Sequence, residues 1–155
     1  MPTTPAAFPL DGFDRALQHL VERVPHTRGA VLLSSDGLAK SWSGLDEDAA
    51  DRLAALASGL SGLADGAARL LAPNAAEELS LNVVVIDLGA AALLVCAGVE
   101  GSRLLVTADR EADHGEVGYE MARLAGSLHD QASAAPATAL AADGEFEDED
   151  TPETD

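Results

Sequence analysis

The stretch from Asp46 to Leu71 constrains this chain more than any other. It opens on Asp46, Glu47 and Asp48, acids that suit the positive end of a helix dipole. Alanine and leucine then carry it to Leu71 without a proline, so one long helix is expected. At about 100° per residue, Ala49, Leu53, Leu56, Leu60, Leu63, Ala67 and Leu71 share a face, which is expected to pack on a sheet. Ala55, Gly59, Gly62 and Gly66 form a second line, roughly 110° around from the leucines. Each interior glycine costs a helix about 0.8–1.0 kcal/mol relative to alanine. Three on one line make sense where another backbone comes close. That neighbour is either the chain's own sheet or the same helix of a second copy. With the leucine face assigned to the sheet, the second copy is favoured.

The flanking segments supply the sheet. Phe13, Leu17, Leu20, Val21 and Val24 recur at helical spacing, with Asp11 as the expected N-cap and Pro25 as the stop. Residues 28–35 read as a strand, Ser35-Asp36-Gly37 as a hairpin turn, and 38–43 as the returning strand with Trp42 half exposed. Beyond Pro73, residues 78–87 form a third strand, apolar on both faces at its far end, so both sides of the sheet should be covered. Strands over 90–97 and 102–108 complete a meander. A last helix starts near Asp113, where Asp113 and Glu116 resemble a capping box and Val117, Met121, Leu124 and Leu128 form the stripe. The expected class is α+β, in the order α-β-β-α-β-β-β-α: a five-stranded antiparallel sheet with helices on both faces. Residues 1–9 form a flexible lead-in, 10–131 the domain, and 132–155 a disordered acidic tail poor in large apolar residues.

Charge narrows the function. The formal net charge is −18, and eight of the 27 acids lie between Asp143 and Asp155; the tail's −8 leaves −10 on the rest. Such a surface argues against nucleic acid and anionic membranes. The N-terminal residues read as no signal peptide, and the longest apolar run, Leu88 to Val99, is short of the roughly 20 residues that span a bilayer. One cysteine permits no internal disulfide and fits a reducing cytoplasm.

Chemistry is sparse. Gly59-Leu60-Ser61-Gly62 has neither the spacing and lysine of a phosphate loop nor the pattern of a nucleophile elbow. Cys96, in an apolar strand, reads as a buried structural thiol. Asp109, Glu111, Asp113 and His114 form the densest polar cluster; they suit either a divalent metal or a solvated cap of the last helix, and their spacing matches no defined metal motif. His19, His26 and His129 fall in no ligand pattern. No catalytic, cofactor or metal site is assigned.

Four stretches, in order, resemble the roadblock family, named for dynein light chains and including bacterial MglB-type proteins. They are Leu20-Val21-Glu22-Arg23-Val24-Pro25, residues Ala30 to Leu38, residues Ala50 to Leu60, and Val117-Gly118-Tyr119-Glu120-Met121. The resemblance spans Leu10 to about His129 and is greatest to actinobacterial members that accompany a Ras-like GTPase and a sensor histidine kinase. It implies a roadblock-type, profilin-like sandwich, in which two copies pair through the third strand with their long helices side by side. It also implies a non-catalytic scaffold or regulator of a small Ras-like GTPase that binds no nucleotide itself. The implied dimer interface is Ala55, Gly59, Gly62, Gly66, Leu81, Val83 and Val85, and the implied partner surface is Asp48, Asp51, Arg52, Asp65 and Arg69. The rival reading is an acidic dimeric chaperone for an unfolded client.

Overall fold

The computed structural model describes residues 12–72 and 83–134. Among the described residues, three α-helices and five strands follow in chain order: α1 (Asp14–Arg23), β1 (Thr27–Leu33), β2 (Ala39–Ser43), α2 (Glu47–Leu71), β3 (Val83–Asp87), β4 (Ala91–Ala97), β5 (Arg103–Asp109) and α3 (His114–Ala134). The strands form one sheet in the order β2-β1-β5-β4-β3. Every neighbouring pair is antiparallel. The α+β class, the element order and the closing meander are as expected. Asp11 and the expected start of the third strand, 78–82, lie outside the described residues. The N-cap position of α1 is held by Phe13 rather than Asp11.

Alternation along the strands divides the core into two layers. Ala30, Leu32, Leu94, Leu104 and Val106 point to one face, where Leu17 and Leu20 of α1 and Val117, Met121 and Leu128 of α3 close over them. Val31, Leu33, Val95 and Leu105 point to the other face, under α2. β3 follows the same rule: Val83 packs into the first layer and Val84 into the second. Both faces of the sheet are covered, as the two-sided strand required.

The connections obey local chemistry. Thr27 joins α1 to β1 by donating its hydroxyl to the carbonyls of Val21 (2.9 Å) and Val24 (2.8 Å) at the helix end. In the β1–β2 hairpin Gly37 adopts φ +86, and its N–H donates to the Ser34 carbonyl at 2.9 Å. The Asp87-Leu88-Gly89 turn uses φ +83 at Gly89, whose N–H donates to Asp87 Oδ1 at 2.8 Å. Asp113 caps α3, accepting from the N–H groups of Gly115 (2.9 Å) and Glu116 (3.2 Å). This cap is the half of the expected capping box supplied by its first residue.

The outer face of the long helix and the open strand

α2 begins as its acids dictate. Asp46 is the N-cap and accepts from the N–H of Ala49 at 2.8 Å, with Glu47 and Asp48 in the first turn and Arg69 in the last. Its packing differs from expectation. The residues fully buried against the sheet are Ala50, Ala54, Ala57 and Ser61, a line of small side chains. Leu53 and Leu60 flank this contact and are partly buried. Leu56 is 56% exposed, Leu63 75%, and Leu70 and Leu71 84% each. At about 100° per residue, the helix is turned by roughly a quarter turn from the expected leucine-down position. The reason lies in the sheet: Val31, Leu33, Val95 and Leu105 already fill the contact layer, so the helix seats its alanines there.

The rotation carries the glycines to the side of the helix away from the sheet. A Cβ built on Gly59, Gly62 or Gly66 meets nothing within 4 Å. Close approach to the chain's own sheet therefore does not account for them. Ala55 beside them is exposed. By the same helical geometry, Leu63 and Leu70 border the glycine line on one side, and Asp51, Asp65 and Arg69 lie toward the other. The outer surface of α2 is thus a small-residue crest between an apolar and a charged edge.

The residues expected to meet a partner are all exposed but do not form one flank. Arg52 Nε pairs with Asp48 across one helical turn at 3.1 Å, and both lie near the crest. Such an exposed pair contributes at most about 1 kcal/mol, so both groups can be recruited elsewhere. Asp65 faces Arg103 of β5 at 3.7 Å. Arg103 also donates to the carbonyls of Gly101 and Ser102. This long-range partner had no local signal in the sequence.

Among the described residues β3 is an edge strand, bonded to β4 on its inner side. Val85 is 43% exposed and Val83 partly buried; Leu81 lies outside the described residues. The C-terminal half of α2 reaches this edge: Ala64 and Ala68 line a cavity of about 180 Å³ with Val83, Val84 and Cys96. The sheet-facing side of α2 thus overlies β3, and the glycine crest points away from the sheet.

Cys96 itself is buried, and burial pushes its thiol up to about 12. At pH 8 almost none of it is thiolate, the reactive form. Native protein is expected to react with a thiol reagent at least a hundredfold more slowly than protein in denaturant, as read by release of the coloured leaving group. Equal rates would place Cys96 at the surface.

The polar cluster near the last helix assembles differently from its order in the sequence. His26, Asp109 and Glu111 come together, with potential ligand atoms within 4.8 Å of one another. Asp113 is turned away to cap α3, and His114 is the first residue of that helix. Arg28 grips both oxygens of Asp109, Nε to Oδ1 at 2.7 Å and Nη2 to Oδ2 at 2.7 Å. That grip holds the Asp109 carboxyl below its ordinary value and sets a fixed positive charge where a cation would have to sit. The arrangement is a structural ion pair joining the start of β1 to the end of β5.

Comparison with known proteins agrees with this architecture. Residues 14–108 match the family model described as the Roadblock/LC7 domain. A Roadblock/LC7 domain from Streptomyces avermitilis is 45% identical, with 76% of this chain and 94% of that one aligned at a TM-score of 0.68. Myxococcus xanthus MglB shares 16% identity over 83% of this chain and all of that one, at a TM-score of 0.68. The gliding protein MglB from Thermus thermophilus shares 20% identity over 87% of this chain and 96% of that one, at 0.64. A search of curated proteins finds no match. With the family model covering most of the folded residues and the Streptomyces domain nearly half identical, this chain belongs to the Roadblock/LC7 family.

Proposed function

We propose that this protein is a homodimeric, non-catalytic regulator or scaffold that binds a small Ras-like GTPase. The observations that carry the dimer are the outer face of α2, uncovered by any described residue, and the edge position of β3. The three glycines cost the isolated helix roughly 2.5 kcal/mol together, and no contact among the described residues offsets that cost. Exposed leucines next to them offer about 1.5–3 kcal/mol each when buried. An edge strand with free backbone groups pairs readily with a copy of itself, and two-fold pairing closes the assembly. Ala55, Gly59, Gly62 and Gly66 then face the partner helix, and Val83 and Val85 lie in the pairing strand.

The GTPase rests on family membership, in which members act as regulators or scaffolds of such proteins. Asp48, Asp51, Arg52, Asp65 and Arg69, with the leucines left uncovered by pairing, form the surface offered to it. Calorimetry of the purified protein against a purified Ras-like GTPase, loaded with GDP or with a GTP analogue, tests the proposal. Saturable binding in one nucleotide state is expected. No binding in either state, with capture of an extended apolar peptide instead, would favour a chaperone role.

A further inference from the structure

On the sheet face opposite α2, α1 and α3 leave a cleft of about 190 Å³ between them. Its floor is apolar, formed by Ala16, Leu20 and Leu124, and its rim carries His19, Arg23 and Arg123. Only nine residues of this chain are Lys or Arg, so two beside one cleft form a concentration of positive charge. Elsewhere each arginine of an ion pair has its own acid: Arg28 has Asp109, Arg52 has Asp48, and Arg103 has Asp65. At this cleft one carboxylate serves two. Glu120 Oε1 lies 2.9 Å from Arg23 Nη1 and 3.5 Å from Arg123 Nη1. A guanidinium carries five N–H donors, so most of those on Arg23 and Arg123 have no protein partner among the described residues. The rim keeps an excess of one positive charge on a chain that is otherwise strongly acidic.

The same chain contains a segment of matching chemistry. Residues 143–155 hold eight acids and no Lys or Arg, with one aromatic, Phe146, between Glu145 and Glu147. We propose that this acidic tail docks in the α1–α3 cleft of its own chain, with Phe146 on the apolar floor and its flanking glutamates on Arg23 and Arg123. Reach is ample. Leu124 lies ten residues, about 15 Å, before the last described residue of α3. The twelve residues from Ala134 to Phe146 extend up to about 40 Å. Tethering also supplies an effective concentration on the order of millimolar, so a contact too weak to form between separate molecules is populated within one.

The test uses the full chain carrying Thr151→Cys with a nitroxide label; the buried Cys96 stays unlabelled. Amide signals of residues 16–23 and 123–127 are expected to broaden. The broadening should be lost with Arg123→Gln, with Phe146→Ala, and in salt high enough to cut the screening length to about 3 Å. Arg123 is exposed and its loss leaves the Arg23–Glu120 pair, so the variant keeps its fold. Broadening spread evenly over the surface, or centred on Arg28 or Arg69, would overturn the proposal. So would equal broadening when labelled chains are mixed with isotope-enriched unlabelled ones, which would seat the tail on a second copy.

Discussion

A chain carrying both Gly59→Leu and Gly62→Leu is expected to form dimers at least tenfold more weakly than the parent while each subunit stays folded. The sign of the effect is what makes the experiment decisive. A Cβ at either glycine meets nothing within 4 Å among the described residues outside its own helix, so in a solitary subunit leucine would gain helix propensity, up to about 1 kcal/mol at each site. Where two helices meet across the glycine crest, the added side chains overpack the contact, at a cost of about 1–3 kcal/mol. Sedimentation equilibrium reads the dimer, and thermal unfolding reads the subunit. A tighter or unchanged dimer with a raised melting temperature would show that the crest faces solvent.

The second large effect concerns the turn that delivers the chain into α2. Gly44 adopts φ +79, and a Cβ there would sit 2.2 Å from the Arg28 carbonyl oxygen and 3.1 Å from the Cα of Gly29. Both obstacles are backbone, so no side chain can swing aside. Gly44→Ala is expected to destabilise the fold by about 3 kcal/mol or more, combining left-handed strain with displacement of β1. For a domain of this size that is roughly a 10 °C fall in melting temperature. Gly89 is the control: its φ is +83, but a Cβ there meets nothing within 4 Å. Gly89→Ala should lose only the conformational part, about 1 kcal/mol. Equal losses at the two sites would mean that the clash at Gly44 is relieved by a small shift.

Most of the architecture was legible because its signals are local. The acidic start of α2, the Asp36-Gly37 turn and the alternation along β3 each follow from a few adjacent residues, and each reappears in the structure. The face that α2 presents to the sheet was not. Periodicity shows that leucines share a side, but which side the sheet receives depends on the volume already filled by Val31, Leu33, Val95 and Leu105. Those residues are distant in sequence, and packing them against Ala50, Ala54 and Ala57 is a tertiary decision. The glycines are uncovered for a reason that periodicity did not show. They point outward because alanines, not leucines, take the contact.

The site divides in the same way. The glycine crest was readable as a line of small residues, whereas its apolar border of Leu63 and Leu70 emerged only once the helix orientation was known. The pairs Arg28–Asp109 and Arg103–Asp65 join residues far apart in the chain and left no pattern to read. In the first of these, the lowered Asp109 value means that the contribution of the pair stands at neutral pH. It is lost as the pH falls through that value.

The most direct measurement is the mass of the full chain in solution by light scattering, at micromolar concentration and physiological salt. Two subunits of 15.8 kDa each are expected, a particle of about 32 kDa. A particle of 15.8 kDa under those conditions would leave the outer face of α2 and the edge of β3 in water, and would contradict the account.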